Sequence, residues 1–182
     1  SDSPGGPTFN WQDISTTGTP LGLTGDDATT APIALGFNVS LYGTFFDSIR
    51  VCTNGWISFT SAATSYSNQP LPNSGAPENL LAPFWDDLSP KSVNRSYFQS
   101  FGNRAIVQWE QIERYSGTGA YTFQAIIEAS GAVTFQYKTM GGALDSATVG
   151  MQNAGKTVGL QVAFNQAYIH DSLALRLSAT PQ

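Results

Sequence analysis

Residues 150–157, GMQNAGKT, place Gly150, Gly155, Lys156 and Thr157 at the spacing of a phosphate-binding loop. Such a loop works only where a strand runs into it and a helix starts at the Lys-Thr pair, because the helix N-terminus supplies the anion site. The residues that follow, VGLQVAF, alternate Val158, Leu160, Val162 and Phe164 with Gly159, Gln161 and Ala163. Alternation is a strand pattern, so NAGK is expected at a hairpin tip, with Gly155 serving the turn, and no nucleotide is expected as a partner.

Covalent chemistry finds little to work with. His170, the single histidine, lies beside Asp171 in a polar break and reads as a surface or capping residue. Cys52 is the single cysteine, so no internal disulfide can form, and the strand-like setting SIRVCTNG reads as a buried, inert thiol. One His with one Cys cannot build a zinc site, no Gly-x-Ser-x-Gly elbow occurs, and an enzyme is not expected. The carboxylates are more suggestive. Asp26-Asp27 in LTGDDAT and Asp86-Asp87 in PFWDDLS are adjacent pairs in turns. Loop carboxylates with nearby carbonyls suit Ca²⁺, which takes about six to eight oxygen ligands. The competing reading is that they cap turns through side chain–backbone bonds. No other cofactor is expected.

Composition narrows the classes further. Charged residues are 12% of the 182, against roughly a quarter in average soluble proteins, so the surface is neutral-polar, as is common outside the cell. Aromatic residues at 12% argue for a packed core rather than disorder. The net charge of −5, with no basic cluster, excludes a phosphate-backbone face and so argues against nucleic acid. No apolar run approaches the roughly 20 residues that span a bilayer. The opening SDSPGG is not a leader peptide, which fits a secreted protein after processing.

The elements that must position these residues are strands. RAIVQWEQI alternates from Arg104, YTFQAIIE from Tyr121, VTFQY from Val133 and LALRL from Leu173, each expected to be half-buried. Gly102-Asn103 and Ser130-Gly131 supply tight turns, so residues 96–139 are expected as a meander of about four strands. Further strands are expected near 31–37, 46–52, 56–59, 80–85, 147–153 and 158–164, with a loop between 60 and 79 and no helix beyond a single turn near 77–81. Pro83 would block a central ladder position, which predicts an edge, a strand start or a bulge there. Trp56, Phe59, Phe84, Trp85, Trp109 and Phe135 read as core. The fold class is all-β: an antiparallel β-sandwich that could be wound as a jelly roll, residues 31–182, preceded by an extended arm, residues 1–30.

Four stretches in order resemble the nidogen-like extracellular domain, called NIDO, and its bacterial secreted relatives. They are LGFNVSLYGTFFDSIRVCTNGWISF, with Tyr42-Gly43 and Thr53-Asn54-Gly55-Trp56; LLAPFWDDL; YTFQAIIEASGAVTFQYKTM; and ATVGMQNAGKTVGLQ. Together they span residues 31–164, and Cys52 stands where a small polar residue is more usual. The resemblance implies a non-catalytic module, secreted or at the cell surface, whose partners vary, and it carries over no catalytic residue.

Two functions are open at this stage. The first is a structural or adhesive module acting by protein contacts, on copies of itself or on other extracellular proteins. Its Gly/Pro/Thr-rich arm would use Phe9, Trp11, Ile14, Leu21 and Leu23 to cover its own sandwich or to add to a neighbour's sheet edge, in the second case building a head-to-tail surface fibre. The second is a carbohydrate-binding accessory module of a secreted hydrolase, with Trp11, Tyr66, Tyr115 and Tyr121 stacking on polysaccharide.

Overall fold

A computed structural model of the chain describes residues 3–179; residues 1–2 and 180–182, the outer ends of the expected arm and domain, lie outside the described residues. Alternation and turn chemistry dictate the architecture. The strands are β1 (Thr19–Pro20), β2 (Ile33–Leu41), β3 (Thr44–Cys52), β4 (Trp56–Ser58), β5 (Leu80–Trp85), β6 (Leu88–Ser89) and β7 (Ser96–Ser100). They continue as β8 (Arg104–Arg114), β9 (Ala120–Glu128), β10 (Ala132–Met140), β11 (Thr148–Gln152), β12 (Gly159–Phe164) and β13 (Leu173–Ser178). No helix occurs among the described residues.

Two antiparallel sheets face each other. One runs β1-β7-β8-β9-β10-β13, with β6 also paired to β8, and the other runs β12-β11-β5-β4-β3-β2. Short hairpins at Gly102 and Gly131, both in the left-handed region at φ 85° and 86°, make sequence neighbours pair within one sheet. Each sheet therefore contains a meander, β7 to β10 in one and β2 to β5 in the other, in place of the interleaved pairing of a jelly roll. Pro83 sits in a central strand, and the bulge resolves the conflict. Pro83 and Phe84 together oppose the single residue Val149, between the pairs Trp85–Thr148 and Ala82–Gly150.

The core between the sheets is built by one face of each alternation. Val107, Trp109, Phe123, Phe135 and Tyr137 meet Val51, Leu81, Phe84 and Val149 there. Trp109 stacks on Phe123 at 4.9 Å, and its indole N–H crosses the sandwich to the Cys52 carbonyl at 3.1 Å. The expected half-burial of the long strands gives way to burial on both faces: Ala105 through Trp109 and Tyr121 through Ile127 are all buried. Irregular segments cover both outer faces. On the seven-stranded sheet the arm lays Ile14 against Ile106 and Ile126. On the other sheet the loop at 60–79 closes over Cys52, Trp56, Leu80, Ala82 and Trp85, and the Ser65 carbonyl accepts both indole N–H groups, at 3.0 Å from Trp56 and 2.9 Å from Trp85.

Candidate functional site

Asn54 and Gly55, in the turn between β3 and β4, organise one end of the sandwich. Gly55 is left-handed at φ 74°, and a Cβ there would overlap the Phe84 carbonyl oxygen, so the turn can press against β5 only as glycine. Asn54 is wholly buried and joins three segments. Its Oδ1 accepts from the Leu88 N–H at 2.9 Å, and its Nδ2 donates to Asp27 Oδ1 at 2.8 Å and to the Thr64 carbonyl at 3.2 Å. The turn at Asp26-Asp27, the loop at 60–79 and the turn after β5 are thereby held together.

Above this junction lies a cavity of about 400 Å³ lined by Asp26, Asp27, Tyr66, Asp87 and Tyr115. Three of the four expected aspartates and two of the four expected stacking aromatics come together here. The rings are more than half exposed, Tyr66 at 53% and Tyr115 at 56%. Tyr115 is anchored by its N–H to the Asp87 carbonyl at 2.9 Å, while Lys91 donates to the Tyr115 carbonyl at 2.8 Å and lies 5.5 Å from its ring. Burial first, then the charges of Asp27, Asp26 and Asp86, push the Asp87 carboxyl above its ordinary value, with Arg114 opposing them.

Asp86 stands apart from its neighbour. It is buried, ion-paired to Arg114 at 3.3 Å, and accepts hydrogen bonds from Ser146 Oγ at 2.8 Å and the Asp87 N–H at 2.9 Å. Its oxygens are thus committed to capping and pairing. Among the described residues no group of three or more His, Cys, Asp or Glu is disposed to hold a metal ion. The cleft thus brings carboxylates and exposed aromatic rings to one cavity, groups able to take part in noncovalent recognition.

Comparison with known families places this arrangement. The family described as NIDO related matches residues 6–181. The chain belongs to that family. No solved structure matches it. The match reaches beyond the 31–164 stretch on which the resemblance was read, and it begins inside the arm. In this NIDO-related chain the segments Thr53–Trp56 and Leu80–Asp86 contribute the buried frame of the cleft, while the lining comes from Asp87 just after them, the turn at Asp26-Asp27, Tyr66 and Tyr115.

The remaining expected residues fall elsewhere. Tyr121 is a correction. It is wholly buried, its hydroxyl donates to the Ala143 carbonyl at 2.8 Å, and burial pushes its pKa to about 12, so it has no face to offer a sugar. Trp11 lies on the arm, with its ring 6.3 Å from Phe9 and the Lys138 ammonium 5.5 Å away. The arm lies on its own sandwich: Ile14 and Leu23 are buried, Leu21 packs against the main core, and Thr19–Pro20 pair with β7. Lys156 occupies the hairpin tip between β11 and β12 as expected, but the left-handed residue there is Lys156 itself, at φ 57°, and not Gly155. It donates to the Ser74 carbonyl at 3.2 Å and lies 3.8 Å from Glu78. Cys52 is buried, with its thiol pushed up to about 11 by desolvation. His170 is exposed against the Asp171 carbonyl, while the Asp171 carboxylate accepts from the Met140 N–H at 2.7 Å.

Sequence reasoning missed Asn54 as the organiser of the cleft, and it missed three glutamines. Gln108, Gln124 and Gln136 are buried on the outer face of the seven-stranded sheet. On a strand, an outward glutamine has the same pattern whether water or a covering segment lies above it.

Proposed function

We propose that this chain is a non-catalytic module of an extracellular protein, acting by protein contact, and that the cleft receives a basic side chain of the partner. One observation carries the reading: two exposed tyrosines from distant segments wall the same cavity as three carboxylates. An aromatic face attracts a cation through its quadrupole, and a carboxylate attracts it through charge. Burial first, and then repulsion from Asp27, Asp26 and Asp86, raises the Asp87 pKa, and an entering ammonium or guanidinium relieves that repulsion where a neutral ligand does not. Membership of the NIDO-related family supports the extracellular setting. No described helix is long and apolar enough to cross a membrane.

A polysaccharide is the second reading, favoured by the same pair of exposed rings, which can stack on sugars. The two separate by salt. The full chain is passed over arrayed peptides containing Arg or Lys, and over insoluble polysaccharides, at low and high ionic strength. Basic peptides are expected to be retained at low salt and released at high salt, with retention lost in Asp87→Asn and in Tyr115→Ala. Salt-insensitive retention on polysaccharide, lost in Tyr66→Ala, installs the second reading. A cleft that retains neither class removes both.

A further inference from the structure

Beneath the arm, three glutamines form one cross-strand row. Gln108 on β8 stands opposite Gln124 on β9, and Gln124 opposite Gln136 on β10. The arm crosses this row. Gln136 grips Asn10 with both amide atoms, Oε1 accepting the N–H at 2.6 Å and Nε2 donating to the carbonyl at 2.9 Å. Gln108 Oε1 accepts the Ile14 N–H at 3.0 Å, and Gln108 Nε2 donates to Asp13 Oδ1 at 3.1 Å. The middle member is different. Gln124 is wholly buried, and among the described residues no atom hydrogen-bonds to its Oε1 or its Nε2. The Trp11 indole N–H of the arm is also buried without a hydrogen-bond partner among them. Buried amides left in that condition carry their full desolvation penalty, so the seat is built for an extended backbone and only partly satisfied by the one lying in it.

The side chains around the row select a sequence. Ile14 packs on Ile106 and Ile126, and Gln12 Oε1 accepts from Arg104 at 2.9 Å. Lys138 lies 3.8 Å from Asp13 and 5.5 Å from the Trp11 ring. The seat therefore fits residues 9–14 of this chain in particular, through backbone and side chains together, as strand-capturing surfaces do.

We propose that this seat is an interface between copies, in which residues 9–14 of one chain occupy the glutamine row of another. A second copy is the one partner that carries the fitted segment by construction. Contacts formed within one chain form equally between two, and exchange needs only a rearranged connection. That connection, residues 15–18, is lightly held: Thr17 Oγ1 donates to Gln99 at 2.9 Å on an exposed surface, and the Gly18 N–H returns to the Ile14 carbonyl at 2.8 Å. Within one chain, β1 tethers the segment to β7 through Thr19 and Pro20 and fixes its path over the row. A segment from another chain is not held by the β7 of the chain it enters, so that pairing does not set its path over Gln124. The interface lies on the sheet face, in contrast to the sheet edge that the sequence suggested, and it does not depend on the cleft.

The test uses full chains carrying Asn10→Cys or Gln136→Cys, with Cys52 buried and out of reach. The two variants are mixed at high concentration, incubated and oxidised. Exchange predicts a disulfide-linked heterodimer that falls at least tenfold when the mixture is diluted a hundredfold. In parallel, wild type is sedimented across concentration beside Ile14→Asp, with association expected in the first and lost in the second. Reciprocal exchange closes as a dimer and one-way exchange runs on as a polymer, and either supports the interface. Absence of the heterodimer, with wild type sedimenting as a monomer throughout, overturns it. Should the cysteine variants fail to fold, the sedimentation pair decides alone.

Discussion

The two outer faces of the sandwich use the same device to different ends. On the seven-stranded sheet, Gln136 and Gln108 accept the backbone N–H groups of Asn10 and Ile14. On the six-stranded sheet, Gln161 and Gln152 accept those of Leu71 and Asn73, at 2.8 and 2.9 Å. There the likeness stops. Under the loop, Gln152 also donates to the Pro77 carbonyl at 2.8 Å, Thr148 donates to the Gln69 carbonyl at 2.8 Å, and two indoles share Ser65. Under the arm, the Gln124 amide and the Trp11 indole N–H have no hydrogen-bond partner among the described residues. The loop joins β4 to β5 within one sheet, whereas residues 9–14 reach the sandwich through the short connection at 15–18 and the two-residue strand β1. Coverage satisfied throughout behaves as core, and coverage that leaves buried polar groups unpaired keeps the character of a docked segment.

The largest effect that separates the two faces is expected from truncating their anchors. Trp85→Ala is expected to cost about 3–5 kcal/mol in urea unfolding, the range for large buried aromatics, and Ile14→Ala about 2 kcal/mol, the low end for a buried isoleucine, because the arm can lift away from the cavity. Equal losses would break the contrast. A smaller effect of opposite sign is expected at the row. Gln124→Met replaces a buried, unpartnered amide with an apolar side chain of similar length, and a gain of about 1 kcal/mol is expected by the same measurement. A loss there would mean that Gln124 is satisfied in solution.

The smallest effect concerns the cleft beside the loop. Because the Asp87 pKa is raised on folding, its protonated form favours the folded state, and that contribution is lost as pH rises through the folded value. At neutral pH the charge is therefore a burden, and Asp87→Asn is expected to raise Tm only slightly, about a degree at most, because solvent screens so exposed a carboxyl. The gap should close as pH falls toward 3.8, the ordinary value for the carboxyl. A gap that widens on acidification would reverse the assigned shift.

Much of this was legible in the chain itself. The meander from 96 to 139 follows from alternation punctuated by Gly102 and Gly131, and Lys156 lands at a hairpin tip because Val158 to Phe164 alternate. The conflict at Pro83 was visible too, with a bulge among the three resolutions expected, and the fold selects that one within a central strand. What stayed hidden was everything decided by a covering segment. Tyr121 at the start of a strand reads as a rim aromatic, and only the fold brings the Ala143 carbonyl to its hydroxyl. Gln108, Gln124 and Gln136 read as the wet side of half-buried strands for the same reason. The cleft was half legible: its three aspartates and its two tyrosines were in view as separate sets, and Asn54 ties the Asp27 turn to the loop that carries Tyr66.

The carbonyl that takes two indole protons has a consequence for measurement. Ser65 shares a peptide bond with Tyr66, whose ring borders the cleft, while Trp56 and Trp85 are two of the four tryptophans in the chain. A ligand that shifts the Ser65–Tyr66 peptide changes the hydrogen bonding of both buried indoles at once. Occupancy of the proposed site is therefore expected to change the emission of the unlabelled protein wherever it moves that one backbone oxygen.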